Sequence, residues 1–186
     1  SLIDLGIHHV RDVPEPIRVW QLRHDELDAE FPPLRSPDAL ATNLPVHLTP
    51  FVGRVNELLS ARKLLYENRL VTLSGPGGVG KTRLAVELAA EAFDAYPGGA
   101  WFVDLSPVTD PAAVGGDIAA TLHLHGKESR TPLELVSSHF ADDRVLLVVD
   151  NCEHVVGAVA AFVDALLRAC PRLDVVVTSR EPLNVA

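Results

Sequence analysis

Leu70-Val71-Thr72-Leu73-Ser74-Gly75-Pro76-Gly77-Gly78-Val79-Gly80-Lys81-Thr82-Arg83-Leu84-Ala85 is the stretch whose reading decides the fold. Leu70–Ser74 is a short β-rich run. The segment from Thr82 to Tyr96 is apolar at Leu84, Ala85, Leu88, Ala89 and Ala92, which is helical spacing. Between them lies a match to G-x-x-x-x-G-K-[ST], in the strand–loop–helix context that this pattern needs. Glycines there let successive backbone N–H groups turn inward as a nest for phosphate oxygens, and the helix N-terminus adds its partial positive charge. Lys81 can reach the outer phosphates of a nucleotide as a point charge, and the Thr82 hydroxyl can ligate Mg²⁺. The candidate nucleotide-binding residues of this stretch are Gly75, Pro76, Gly77, Gly78, Val79, Gly80, Lys81, Thr82 and Arg83.

Working outward, strands and helices alternate. A helix is expected over Arg54–Asn68, with Val55, Leu58, Leu59, Arg62 and Leu65 at helical spacing. Ala100–Leu105 is the next strand after Pro97-Gly98-Gly99. Pro111 opens a helix to about Leu124. Thr131–Ala141 is another helix, with Thr131 and Glu134 forming a capping box. Val145–Val149 is an apolar run with the character of a strand buried on both faces. Val155–Ala169 is an apolar helix, and Leu173–Thr178 the last strand. Alternation of this kind predicts α/β architecture, a parallel sheet in a three-layer sandwich.

Upstream the pattern changes. Leu2–His9 and Ile17–Leu22 read as two extended pieces around the turn-rich Arg11–Pro16. From Arg23 to Pro50, Pro32, Pro33, Pro37, Pro45 and Pro50 interrupt any regular element, as in a partly extended linker. Three regions are therefore expected: a short β tail over 1–22, a proline-rich linker over 23–50 and the α/β domain over 51–186. With 47% apolar residues among 186 the chain can bury a core. It begins with Ser1 and has no methionine, which reads as a segment of a longer polypeptide. A net charge of −9 and a pI near 5.3 argue against a nucleic-acid grip by this segment. Cys152 and Cys170 read as small buried hydrophobes in a reducing compartment. No apolar run reaches the ~18 residues of a membrane span and no signal peptide is visible, so a cytoplasmic location without membrane attachment is expected.

A second motif, Val145-Leu146-Leu147-Val148-Val149-Asp150, delivers a carboxylate to the carboxyl edge of the sheet, where ligands of parallel sheets bind. This is a Walker B arrangement, with Asp150 placed to hold Mg²⁺ together with Thr82. The next position, where many such ATPases carry a second acid, is Asn151, which cannot take a proton from water. Glu153 is the nearest alternative catalytic base and His154 a second. Glu153 reads equally well as an acid favoured by a helix N-terminus. Val175-Val176-Val177-Thr178-Ser179-Arg180 brings polar residues and a cation to the same edge, where Arg180 could sense a terminal phosphate or stand solvated. His123 and His125 are two apart, a spacing that on a helix does not face one ligand, so a metal site with His139 is not expected.

Phe51-Val52-Gly53-Arg54-x-x-Glu57, the Gly75–Thr82 loop, Asp150-Asn151-Cys152-Glu153-His154 and Thr178-Ser179-Arg180 together resemble the STAND branch of AAA-related P-loop ATPases. The type is that of large bacterial regulators of the LuxR and antibiotic-regulator kinds, and the resemblance covers residues 46–186. It implies a 5-1-4-3-2 strand order and an adenine held near Phe51, Val52, Gly53 and Arg54, largely by backbone. The winged-helix segment that normally follows in this branch is not included, so the domain is expected to be incomplete at its C-terminus. The stretch from Ile3 to Pro16 followed by Val19-Trp20-Gln21-Leu22 resembles the closing strands of class III adenylate/guanylate cyclase domains. The whole is then similar to mycobacterial-type proteins that join a cyclase, an ATPase and a C-terminal LuxR DNA-binding helix-turn-helix. No metal-binding or transition-state residue of a cyclase is included, so no cyclase activity is expected.

The implied function is an ATP/ADP- and Mg-binding signalling switch that hydrolyses ATP slowly. The rivals are a dedicated P-loop ATPase or kinase and a degenerate loop serving as scaffold. The intact Lys81, Thr82 and Asp150 count against the scaffold. Expected partners are the nucleotide, neighbouring domains of the same polypeptide and, as an option the reading leaves open, further copies in a homo-oligomer. DNA would be reached only through a C-terminal domain beyond residue 186.

Overall fold

A computed structural model of the chain describes residues 2–8, 17–22, 42–46, 49, 51–124, 130–141 and 143–183. The chain divides into two compact units, Ser1–Thr42 and Asn43–Ala186. In the first, β1 (Leu2–His8) and β2 (Ile17–Leu22) pair antiparallel, with an irregularity between Asp4 and Gly6. The turn expected over Arg11–Pro16 and most of the expected linker lie outside the described residues, as does His125.

The second unit is a three-layer α/β sandwich. Its elements are α1 (Val55–Glu67), β3 (Leu70–Ser74), α2 (Lys81–Ala92), β4 (Ala100–Asp104), α3 (Val114–Thr121), α4 (Pro132–His139), β5 (Val145–Asp150), α5 (Val156–Ala169) and β6 (Leu173–Ser179). The sheet is parallel with the order β3-β6-β5-β4. Numbered within this unit the order is 1-4-3-2, four of the five expected positions. A fifth strand beyond β3 is not among the described residues.

The sheet separates two apolar clusters. Val145, Leu147, Val149, Val175 and Val177 face α3, α4 and α5, whereas Leu146, Val148 and Val176 face α1 and α2. Every residue of β5 and β6 is buried, so apolar residues fill consecutive rather than alternate positions of these strands, with buried polar exceptions at Asp150, Asp174, Thr178 and Ser179. Residues of the two central strands bury side chains on both faces, at about 1.5–3 kcal/mol for each large aliphatic one.

Helix limits differ from the periodicity at several ends: α3 stops at Thr121 and α4 at His139, short of the expected Leu124 and Ala141, and two further differences have a local cause. The helix expected to reach Tyr96 ends at Ala92, and a 3₁₀ turn over Phe93–Ala95 takes the chain into Pro97. The helix expected from Pro111 starts as a 3₁₀ turn, Pro111–Ala113, capped by Asp110, before α3 proper. Thr131 and Glu134 form the expected capping box, each accepting from the other's backbone N–H.

Two features fix the unit away from the sheet's carboxyl edge. Asp174, 6% exposed, accepts from Tyr96 Oη at 2.9 Å and from Arg144 Nη2 at 3.0 Å. At the edge strand β4, Asn43 Nδ2 donates to Phe102 O at 2.8 Å, and Phe102 N donates to Asn43 Oδ1 at 2.6 Å. One side-chain amide thus pairs both backbone groups of Phe102, as a further strand would. No helix among the described residues is long and apolar enough to cross a membrane.

Candidate functional site

The loop between β3 and α2 turns through left-handed backbone at Gly78 (φ 76°) and Gly80 (φ 82°). L-residues rarely hold such angles, so glycine is required there. A Cβ built on Gly78 would meet no heavy atom within 4 Å, so it is the left-handed backbone and not crowding that calls for glycine there. Gly80 caps α2, with Leu84 N donating to Gly80 O at 3.0 Å, and Lys81 and Thr82 follow as the first helical residues. Lys81 Nζ lies over the loop, donating to Gly75 O at 2.9 Å and Pro76 O at 3.0 Å.

Thr82 and Asp150, distant in sequence, meet here. Thr82 Oγ1 stands 2.9 Å from both carboxylate oxygens of Asp150. Asp150 is 1% exposed. Thr178 Oγ1 also donates to Asp150 Oδ1, and Asn151 Nδ2 donates to Asp150 Oδ2 at 3.0 Å. Burial pushes the Asp150 carboxyl above its ordinary range, and the nearby Asp104 adds to this. The hydroxyls of Thr178 and Thr82 and the charge of Lys81 work in the opposite direction. A buried carboxylate with this balance is a group for which an added cation would be favourable.

Asn151 is not a gap in the site. Its backbone is left-handed (φ 60°), a conformation Asn tolerates better than most residues. Its N–H donates to Thr178 Oγ1 at 3.2 Å, and Nδ2 reaches Asp104 Oδ1 at 2.9 Å as well as Asp150. Asp104 and Asp150 are register partners at the ends of β4 and β5, and Asn151 bridges them. Asp104 also accepts from Ser106 N and Ser106 Oγ, each at 2.9 Å. Burial opposes its ionisation, but the hydrogen bonds from Asn151 and Ser106 outweigh that and hold the carboxyl below its ordinary range. Sequence reasoning did not single out Asp104. The signal was an acid ending the strand Ala100–Asp104, the same pattern that drew notice to Asp150.

The two catalytic candidates lie against each other. Arg180 Nε and Glu153 Oε1 form an ion pair at 2.9 Å, with the side chains 65% and 25% exposed. A Cβ built on Gly77 would sit 3.7 Å from Arg180 Nη2, so the guanidinium leans over the loop. Pairs with this exposure contribute about 0–1 kcal/mol, so Arg180 can exchange its partner at small cost. On the far side of the loop, Arg54 Nη1 would lie 3.8 Å from a Cβ on Gly80.

Gly53 (φ 78°) and Arg54 (φ 55°) are consecutive left-handed residues at the start of α1. For Arg54 this conformation costs roughly 1–2 kcal/mol. Phe51 packs against the α1/α2 cluster, whereas Val52 is 84% exposed. Arg54, Ser60, Leu64, Thr72, Val79 and Lys81 are among the residues lining an open groove of about 450 Å³ between α1, β3 and the loop. Arg83 points elsewhere, donating to Thr49 O.

His154 Nε2 lies 2.6 Å from Val108 O and therefore carries its proton on that nitrogen. Burial pushes the Cys152 thiol up to about 12, with Asp150 and Glu153 adding to the effect, so this cysteine is inert at neutral pH. No group of three or more His, Cys, Asp and Glu among the described residues forms a metal cage. Mg²⁺ needs no such cage, because it commonly uses one or two protein oxygens with phosphates and waters. The Thr82 hydroxyl and the Asp150 carboxylate supply that kind of donor set, adjacent to a loop suited to phosphate. The residues present fit a Mg–nucleotide.

The fold is shared with a crystal structure of Cdc6p from Pyrobaculum aerophilum, at a TM-score of 0.51 and 18% identity over 75% of this chain and 41% of that one. No protein-family model matches the chain. Among curated proteins, an uncharacterized protein of Mycobacterium tuberculosis is 44% identical over 140 residues, covering 75% of this chain and 36% of the relative. A candidate HTH-type transcriptional regulator of the same organism is 44% identical over 125 residues, covering 67% of this chain and 14% of its own length. The chain thus spans about a third or less of the curated relatives it matches.

Proposed function

We propose that residues 43–186 form an ATP- and Mg-binding switch module of the STAND type, which hydrolyses its nucleotide slowly within a larger regulator. The observation that carries this reading is the meeting of Thr82 and Asp150 at 2.9 Å, beside a glycine loop that opens helix α2. Mg²⁺, when bound with the nucleotide, supplies charge that offsets the phosphates and the buried carboxylate. In this reading Gly75–Gly80 cradle the phosphates and Lys81 leaves the loop carbonyls for them. Thr82 and Asp150 hold the metal, and Arg180 leaves Glu153 to contact the terminal phosphate. Phe51, Val52, Gly53 and Arg54 border the base, a role favoured by the exposed Val52 and the left-handed turn.

Each of these exchanges gives the ligand-bound form contacts that the ligand-free form lacks. A ligand with such differential contacts shifts a conformational equilibrium, which is what a switch requires. The relative named as a candidate HTH-type regulator supports a transcriptional output through a domain outside this chain. Residues 1–22 are in this reading the tail of a cyclase-like domain, and the whole is cytoplasmic.

The test is a calorimetric titration with ATP, ADP and GTP, with and without Mg²⁺, joined to steady-state phosphate release. Mg-dependent binding that favours adenine nucleotides, with turnover below about 1 s⁻¹, is expected. Failure to bind any nucleotide would overturn the reading. Turnover well above that rate would move the protein to the dedicated ATPases.

A further inference from the structure

We propose that Asp104 is the second acid of this site, contributed by the neighbouring strand in place of an acid at position 151 and aimed by the Asn151 amide. The proposal rests on the nucleotide reading above.

Hydrolysis of a terminal phosphate needs a group that orients the attacking water and accepts its proton. Asn151 cannot accept a proton, and its side chain is engaged as a donor to Asp104 at 2.9 Å and Asp150 at 3.0 Å. Glu153 is held by Arg180 at 2.9 Å. When Arg180 turns to a terminal phosphate, Glu153 loses the partner that orients it.

Asp104 differs on each count. It ends β4 at the carboxyl edge of the sheet, directly opposite Asp150 in the β4–β5 register. Asp104 is an exposed residue, whereas Asp150 is buried, so water can reach Asp104. Three donors fix its orientation: Asn151 Nδ2, Ser106 N and Ser106 Oγ, all at 2.9 Å. A continuous series of hydrogen bonds runs from Thr82 at the loop, through Asp150 and Asn151, to Asp104. The left-handed backbone at Asn151 has a role here. The amide carried on that backbone bridges the two acids.

The water oxygen bonds the terminal phosphorus, and the bond from phosphorus to the bridging oxygen of ADP breaks with its electron pair leaving on ADP. The water proton passes to Asp104 and from there to solvent.

The experiment compares the wild-type chain with Asp104→Asn, Ser106→Ala and Glu153→Gln. Single-turnover phosphate release and ATP affinity in Mg²⁺ are measured in parallel, with folding checked by thermal melting. Asn at position 104 keeps an acceptor oxygen for Asn151 and Ser106 but cannot take a proton. At least a tenfold slower release with affinity within twofold of wild type is therefore expected. Ser106→Ala, which removes one hydrogen bond to the carboxylate, is expected to slow release less, again at unchanged affinity. It decides the matter should Asp104→Asn not fold.

Release unchanged in Asp104→Asn, or in Ser106→Ala if that is the only folded variant, would overturn the proposal. So would a loss of affinity equal to the loss of rate, which would make Asp104 structural. Slowing by Glu153→Gln without slowing by Asp104→Asn would overturn it in favour of Glu153. A wild type that binds ATP yet releases no phosphate would overturn it while leaving the binding reading intact. A wild type that binds no nucleotide would overturn both.

Discussion

Lys81→Ala tests the glycine loop most directly. The ammonium now rests 2.9 Å from Gly75 O and 3.0 Å from Pro76 O, and it must leave these two carbonyl dipoles to meet a phosphate. The ammonium is charged in either setting, but a phosphate offers it a full negative charge where a carbonyl offers only a dipole. The exchange should therefore leave a surplus of at least about 1.4 kcal/mol in favour of the complex, a tenfold effect on affinity. The perturbation should hardly touch the ligand-free fold, because the two carbonyls border an open loop where water can replace the lysine. A surface change of this kind stays within about 0.5 kcal/mol, or roughly 2 °C in Tm for a chain of this length. The assay is a thermal melt with and without Mg-ATP. At a nucleotide concentration of about 100 times the wild-type Kd, binding adds about 2.7 kcal/mol, and a tenfold weaker variant keeps about 1.4. With roughly 2–4 °C per kcal/mol, the ligand-induced shift falls from about 5–11 °C to about 3–6 °C. Equal shifts for wild type and variant would refute the phosphate role of the loop.

Asp150→Ala is expected to weaken affinity at least tenfold in Mg²⁺ and far less in EDTA, about 1.4 kcal/mol against a fraction of that; equal losses in both would make Asp150 a structural residue. Tyr96→Phe removes one of the donors to buried Asp174 and leaves Arg144 at 3.0 Å, so a loss near the low end of about 1.5–3 kcal/mol is expected by urea titration, and a loss below about 0.5 would contradict the pairing. A chain beginning at Thr42 should bind ATP as the longer one does, since Asn43 and its contacts are kept. A chain beginning at Phe51 should bind with similar affinity but unfold about 1–3 kcal/mol more easily, because both Asn43–Phe102 hydrogen bonds are gone.

Most of the second unit was legible because its signals are local. The five β-formers and leucines Val145–Val149 mark a strand buried on both sides whatever surrounds it, and Thr131 with Glu134 carries its cap within four residues. The Gly75–Thr82 loop is contiguous, so its turns could be inferred from glycine alone. What could not be read depends on register between remote segments. Asn151 looked like the loss of a base, because its meaning lies in Asp104, which only the β4–β5 alignment brings opposite Asp150. Glu153 and Arg180 were each noticed separately, but a pairing of the ends of two elements has no sequence period. Asn43 fell in a region of prolines whose composition says linker, and nothing local reveals that its amide matches the free edge of Phe102.

That amide has a consequence for the protein in concentrated solution. An outer strand offers unpaired N–H and C=O groups to any extended segment that drifts alongside, and growth by edge-to-edge addition starts from such places. On β4 the exposed pair at Phe102 is already occupied by Asn43, a residue too short to extend the sheet further. Asn43→Ala should therefore do more than loosen one contact. It uncovers a template, and the chain should begin to self-associate at concentrations where the wild type remains dispersed, a difference that light scattering would register well below the melting temperature.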